Sequence, residues 1–182
     1  MKILLHSCCA PCANQCLDAL RQEGLEPSLF WYNPNIHPFT EFKARRASLR
    51  LYAGLVNAPL IEADDYALRP FLAAVMPALG SRCLVCYEMR MEKTARYAAE
   101  HGYDGFTTSL LISPYQNHEA LRTAAESAAQ RHGTRFVYRD FRPFFRAGQQ
   151  TARDMELYMQ KYCGCIFSEE ERYQKQIGPG GQ

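Results

Sequence analysis

Lys2-Ile3-Leu4-Leu5-His6 runs without a break into Ser7-Cys8-Cys9-Ala10-Pro11-Cys12. A short apolar run of this length reads as a strand buried on both faces, and a proline just past a tight turn reads as the first turn of a helix. The expected unit is a strand over 2–6, a turn carrying thiols, and a helix over 11–22 that stops near Gly24. Working outward, 27–32 is a second apolar run, closed by the turn-forming Asn33-Pro34-Asn35. Over 38–56, Phe39, Phe42, Leu49, Ala53 and Val56 recur at helical spacing, while Lys43, Arg46 and Arg50 share a face that solvation alone explains. A third strand is expected over 60–63, a helix over 66–76, a break at 77–81 and a helix over 85–101 ending at Gly102. A fourth strand over 106–112, an Ala-rich helix over 119–132, a fifth strand over 136–138 and a last helix over 151–162 complete the series. Strands separated by helices of this length predict a single-domain α/β protein with a Rossmann-like parallel sheet flanked by helices. In such sheets the functional residues, here a metal site, gather at the carboxyl ends of the strands. One domain is expected over 1–168, followed by an extension over 169–182 whose last residues, 178–182, read as a disordered tail.

The chain has 182 residues, 47% apolar and 22% charged. A chain of this size buries roughly 70% of its unfolded surface, so it needs no crosslink in order to fold. Its eight cysteines therefore ask for another explanation. No run approaches the ~18 uninterrupted apolar residues of a membrane span, and the apolar start is shorter than a secretory segment. The expectation is a cytoplasmic, reducing setting without a membrane, where closely spaced cysteines serve metals or redox chemistry. A formal charge of +2 is too small to mark a nucleic-acid binder, so that reading must rest on local patches.

Six of the cysteines fall into three groups besides Cys12 and Cys16: Cys8-Cys9 on the first turn, Cys83 and Cys86 as a CxxC pair, and Cys163 and Cys165 around Gly164. Adjacent thiols at a helix start can aim at one centre, where the helix dipole favours the thiolate. CxxC chelates one metal or one cluster edge, and CxC can chelate or close into a strained, reducible disulfide. Two thiols from the turn and two from CxxC suit either a tetrahedral zinc site or a [4Fe-4S] cluster; spacing alone does not choose, and the commoner use of paired cysteines leans to zinc. Cys16, one helical turn after Cys12, reads as a small core residue, and His6 as a satisfied strand-end histidine. No GxxxxGK[ST], GxGxxG or HExxH occurs, which removes the usual support for nucleotide hydrolysis, dinucleotide binding and zinc proteolysis.

Residues 135–146 interleave arginines, among them Arg139 and Arg142, with aromatics, a pattern suited to single-stranded RNA and equally to a solvated surface over core aromatics. Tyr32-Asn33-Pro34-Asn35-Ile36-His37-Pro38 is rigid and polar, and is expected to shape a pocket wall through Tyr32, Asn33 and Asn35. Glu41 reads as helix-dipole compensation. Tyr115 and Gln116, leading off a strand end, are candidate substrate contacts, and Asp140 is the carboxylate to consider as acid, against a plain ion pair with a neighbouring arginine.

Six segments, HSCCAPC at 6–12, YNPNIHP at 32–38, RCLVCYEMR at 82–90, FTTSLLISPYQN at 106–117, DFRP at 140–143 and YCGCIFS at 162–168, resemble in order the motifs of the QueH-type epoxyqueuosine reductases, from residue 2 to about 168. Ser109 stands where that pattern has Thr, a departure expected to touch no cysteine. The resemblance implies an oxidoreductase that reduces the epoxide of epoxyqueuosine to the alkene of queuosine at the wobble position of tRNA, the last step of queuosine biosynthesis. It implies a [4Fe-4S] cluster on Cys8, Cys9, Cys83 and Cys86, with Cys163 and Cys165 as a redox pair and Cys12 as a further thiol toward substrate or an additional iron ion. Removing the oxygen as water takes two electrons and two protons, which a dithiol can supply together, with Asp140 or Tyr115 as candidate acids. The electron donor, a protein or a small reductant, is not specified. Two competing expectations are a zinc-thiolate RNA-binding module without catalysis and a metal-free thiol-disulfide exchanger.

Overall fold

The computed structural model describes residues 1–63 and 66–174. Four parallel strands, β1 (Lys2–His6), β2 (Glu26–Trp31), β3 (Leu60–Glu62) and β4 (Gly105–Thr108), lie in the order β3-β2-β1-β4. In the central β1, Ile3, Leu4 and Leu5 are all buried, as a strand covered on both faces requires. Leu4 pairs with Ser28 on one side and Phe106 on the other. Around the sheet lie α1 (Ala10–Gln22), α2 (Phe39–Leu55), α3 (Leu68–Val75), α4 (Arg82–Glu100), α5 (His118–His132), α6 (Phe145–Asp154) and α7 (Ile166–Tyr173). Because the strands are parallel, the segments that follow β1, β2 and β4 all leave the sheet at one edge. That brings residues 7–12, 32–38 and 109–117 together.

Several elements depart from the sequence reading, each for a local reason. The fourth strand ends at Thr108, whose hydroxyl accepts a bond from Leu110 N–H (3.2 Å) and turns the chain into a 3-10 helix over Ser109–Ile112. The fifth strand is reduced to one parallel bridge, Phe106 to Phe136, made by Phe106 N–H to Arg135 O and Val137 N–H to Phe106 O, both 2.8 Å. That approach requires Gly105, since a Cβ there would lie 2.7 Å from Arg135 O. Helix α4 starts at Arg82 rather than at Val85, which puts both Cys83 and Cys86 in its first turn and a half.

The helix expected over 151–162 lies earlier, as α6. Glu156 takes a left-handed φ of 54° and Leu157 N–H bonds back to Ala152 O (2.8 Å), so the chain leaves the helix without a glycine to announce it. A short α7 then follows the CxC motif, unforeseen in the sequence. The expected tail over 178–182 lies outside the described residues. The helical run Leu68–Glu100 contains one 18-residue window with mean hydropathy 1.4, of which 17% is buried. Ala78, at φ −131° and ψ 45°, breaks that run into separate helices.

Candidate active site and metal centre

The turn after β1 is fixed by its backbone before its thiols are considered. Ser7 N–H donates to Phe30 O (2.8 Å), and the Ser7 hydroxyl returns to Leu5 O (2.9 Å). Cys9, extended at φ −174°, precedes the first turn of α1, where Pro11 gives up an N–H that the helix would leave unused. The Sγ atoms of Cys8, Cys9 and Cys12 consequently lie within 4.8 Å of one another, and all three side chains are buried. Cys8 and Cys9 sulfurs are 3.6 Å apart. Hydrogen bonds from Cys12 and Cys9 draw the Cys8 thiol well below its usual pKa, with Ser109 adding to the effect. Burial raises Cys9, and bonding to Cys8 and Cys9 raises Cys12. One negative charge shared by three sulfurs is thus easily reached, and further proton loss awaits a cation.

Ser109 touches a cysteine, contrary to expectation: its hydroxyl accepts from Cys8 N–H (3.2 Å) and donates toward Cys8 Sγ (3.6 Å). Cys16 is the core residue expected, its thiol turned back to Cys12 O (3.2 Å). His6 is likewise satisfied within the sheet end, between Thr108 Oγ1 (2.9 Å) and Tyr32 O (3.1 Å), and burial drives its pKa down to about 3.

The CxC motif is gripped from below. Arg45, buried on α2, pairs with Glu41 (2.6 Å) and donates its two Nη groups to Cys163 O (3.0 Å) and Tyr162 O (2.9 Å). Gly164, at φ 137°, is seated against Asn35, Ile36 and Arg45, any of which a Cβ would crowd, and its carbonyl accepts from His37 N–H (2.8 Å). The segment over 32–38 is therefore a scaffold under the CxC turn. Asn33 and Asn35 are buried, Asn33 donating to Ser7 O (3.0 Å), and neither they nor Tyr32 belong to the lining of the cleft described below, where the sequence reading expected them to shape a pocket wall. Glu41 does more than compensate a dipole, since it holds Arg45 and accepts from Tyr158 OH (2.5 Å).

His37 sits in this scaffold with its ring against Tyr66 (5.6 Å) and Phe71 (5.2 Å), neither nitrogen making a hydrogen bond of normal geometry among the described residues. Burial pushes its pKa down to about 4, against the opposing pull of the Pro34 carbonyl. An unfolded histidine titrates near 6.5 and so takes up the proton first. Stability from His37 is complete above about 6.5, declines as pH falls and levels off below about 4, a loss of roughly one to a few kcal/mol. Urea unfolding followed over that range should show the decline, and His37→Phe should make it shallower while leaving the share that buried His6 contributes; an unchanged slope in the variant would assign the acid sensitivity elsewhere.

Cys83 and Cys86 face the CxC turn. Cys86 and Cys165 pack in one small cluster with Phe71 and Val75, and burial lifts the Cys86 thiol to about 12. The sulfurs thus form two groups, Cys8 with Cys9 and Cys12, and Cys83 and Cys86 beside the CxC pair. The trio that comes within 4.8 Å includes Cys12 where the sequence reading had placed Cys83 and Cys86. Arg90, buried on α4 and without a carboxylate within 4.0 Å among the described residues, feels Cys86, Cys163 and Cys8 together. A cleft of about 470 Å³ opens between the groups, lined by Cys8, Cys12 and Cys163, with Tyr115, Gln116 and Tyr162 around them. Gln116 is partly committed, accepting from Tyr87 OH (2.7 Å) and donating to Cys163 Sγ (3.5 Å).

Asp140, Arg139 and Arg142 are outside that lining. Arg139 is paired with Glu23 (2.7 Å) and Arg142 with Asp140 (2.6 Å), and the Arg142 guanidinium holds the Asp140 carboxyl down at about 2. Such a carboxylate is a poor proton donor at neutral pH, and the plain ion pair is the role its geometry serves. Arg46 and Arg50 are likewise tied to Glu62.

Residues 3–171 match the family model described as Epoxyqueuosine reductase QueH. The chain belongs to the epoxyqueuosine reductase QueH family. Among relatives of that name, QueH from Dehalococcoides mccartyi is 39% identical over 98% of both chains. QueH from Thermotoga maritima is 31% identical over 95% of this chain and 93% of its own, and that from Haemophilus influenzae 35% over 92% and 71%. This QueH chain is accordingly an oxidoreductase with a thiol set able to bind a metal. A predicted tRNA methyltransferase subunit from Methanocaldococcus jannaschii has the same α/β fold, with a TM-score of 0.59 at 11% identity, covering 98% of this chain and 88% of its own. The likeness concerns the fold alone.

The donor set fits an iron-sulfur or other soft-metal group: buried thiols, one of them already drawn toward thiolate, with two buried guanidinium groups to offset added negative charge. Arg45 and Arg90 are the residues that sequence reasoning missed. Arg45 had a visible signal, its i,i+4 spacing from Glu41 directly after a rigid turn.

Proposed function

We propose that this chain reduces epoxyqueuosine to queuosine at the wobble position of tRNA, in the cytoplasm, using a [4Fe-4S] cluster held by Cys8, Cys9, Cys83 and Cys86. Cys12, third member of the buried trio, is the thiol placed to take an additional iron ion. When bound, the metal group would supply a Lewis-acidic centre and a relay for electrons. The observation that carries the reading is that Cys8 and Cys12 of the trio and Cys163 of the CxC pair line one cleft. A base that enters it meets both sets of sulfurs.

The chain's own residues close the chemical balance. Both C–O bonds of the epoxide break, the two carbons become an alkene, and the oxygen leaves as water. Oxidation of Cys163 and Cys165 from dithiol to disulfide releases two electrons and two protons, which is what the reaction consumes. An external reductant then restores the dithiol. Gln116 orients Cys163 Sγ, Arg45 holds the carbonyls of Tyr162 and Cys163, and Gly164 permits the turn that sets Cys163 in the cleft lining with Cys165 buried behind it. With both protons available from the thiols, ionised Asp140 is not required as an acid.

The test is anaerobic incubation of the iron-reconstituted chain with epoxide-bearing tRNA and a reductant, followed by mass analysis of the nucleoside. Loss of one oxygen is the expected result. Unchanged nucleoside with a fully loaded, reduced protein would overturn the assignment, and colourless protein containing zinc alone would favour a zinc-thiolate module instead.

A further inference from the structure

The sequence places its nucleic-acid signal at residues 135–146, yet the structure pairs the two central arginines there, and only the flanking Arg135 and Arg146 have no carboxylate within 4.0 Å among the described residues. Arg139 is bound to Glu23, Arg142 to Asp140, and the preceding Arg131 to Glu92. The rim of the thiol cleft has the opposite character. Lys161 and Arg172 line it, and neither has a carboxylate within 4.0 Å among the described residues, whereas Glu171 at the same rim is tied to Arg82. Between cleft and solvent stands Tyr115, 84% exposed, the most open of the large apolar or aromatic side chains among the described residues. Its loop is pinned by Tyr115 N–H to Ser113 Oγ (3.3 Å), and its ring meets Phe145 edge-on at 6.0 Å and 83°. Phe145 also lines the cleft, so the phenol is buttressed from one side and its flat face is left open.

We infer that this rim is the RNA-docking surface, with Tyr115 as a stacking platform for a nucleotide beside the reacting one and Lys161 and Arg172 as phosphate contacts. The inference rests on the tRNA reading above and adds the surface that receives the RNA. A base can reach Cys163 only if it leaves its stack, and its neighbour then loses a stacking partner. An exposed aromatic at the mouth replaces that partner, and every base has a face to offer it, so the contact needs no particular sequence. Unpaired cations a few residues of surface away supply the sequence-independent attraction to the backbone that the paired arginines at 139 and 142 no longer can. The same geometry assigns Tyr115 a binding role in place of the acid role considered from sequence.

The experiment is a fluorescence-anisotropy titration of the full chain with a labelled anticodon stem-loop RNA, alongside turnover on modified tRNA. Tyr115→Ala should weaken hairpin binding roughly 5- to 150-fold, as expected for the loss of one base–aromatic stack, and Tyr115→Phe should restore it. Folding is not at issue at so exposed a position. Replacing Lys161 and Arg172 together by Ala should lower the slope of log Kd against log salt by about 0.7 per cation removed. Binding by Tyr115→Ala equal to wild type overturns the platform while leaving the tRNA reading intact. Absence of hairpin binding by the wild-type chain overturns the tRNA reading itself. Equal loss of turnover in the Ala and Phe variants, with binding unchanged, would make Tyr115 the proton donor and end this inference.

Discussion

Cys8→Ser is expected to leave the chain without its metal and without turnover. Among the three buried sulfurs, Cys8 is the one drawn toward thiolate, by bonds from Cys12, Cys9 and Ser109. A serine hydroxyl there is harder, shorter and far less acidic, so it offers a soft metal neither the charge nor the polarisability of sulfur. Cys9 and Cys12 alone leave the buried trio one sulfur ligand short. Removing a direct ligand should cost more than the roughly 10- to 100-fold typical of outer-shell changes, so iron per chain and the visible absorption should both collapse. Cys163→Ser provides the contrast. Cys163 is exposed, lines the cleft and lies outside the buried trio, and its loss should spare most of the bound metal while stopping turnover. A Cys8→Ser chain that keeps its full iron content, or a Cys163→Ser chain that turns over normally, would dissolve this division of labour between the two groups of sulfurs.

What the sequence made legible follows from where each signal is local. The strand over Lys2–His6 and the thiol turn after it are written in consecutive residues, and burial on both faces leaves little freedom in reading them. The parallel order follows from strands and helices that alternate. The partners of long charged side chains are not local. Arg139 finds Glu23 across 116 positions and Arg142 folds back on Asp140, so an arginine-rich, aromatic stretch looked available for RNA when its two central arginines were already matched. Asn33 and Asn35 carry the same polar groups whether they face a ligand or brace a turn, and only the packing of Gly164 on Asn35 distinguishes the two. The end of α6 was hidden for a different reason: its left-handed residue is Glu156, where a glycine would have been the visible signal. Ser109 became a neighbour of Cys8 only through the pairing of β1 with β4, which sets His6 beside Thr108.

Arg45→Met is the second large effect expected, and it separates stability from chemistry. The guanidinium joins three things at once: the Glu41 carboxylate at 2.6 Å, the Cys163 carbonyl and the Tyr162 carbonyl. With the charge gone, Glu41 remains almost fully buried beside only Tyr158 OH, and an uncompensated buried ion of this kind costs about 3–5 kcal/mol. In a domain of this size that corresponds to a fall in melting temperature of roughly 6–20 °C. Adding Glu41→Gln removes the stranded charge, so the double variant should recover much of the lost stability. It should not recover turnover, because the carbonyls of Tyr162 and Cys163 still lack their donors and the CxC turn is no longer held toward the cleft. Arg45→Lys tests the same point from the other side: it keeps the charge, but a single ammonium cannot span a carboxylate and two carbonyls as the planar fork does, so stability should survive better than turnover. If the double variant regained both together, Arg45 would be a structural ion pair and nothing more. If stability alone returns, the buried guanidinium is what positions Cys163 and Cys165 for the two-electron step.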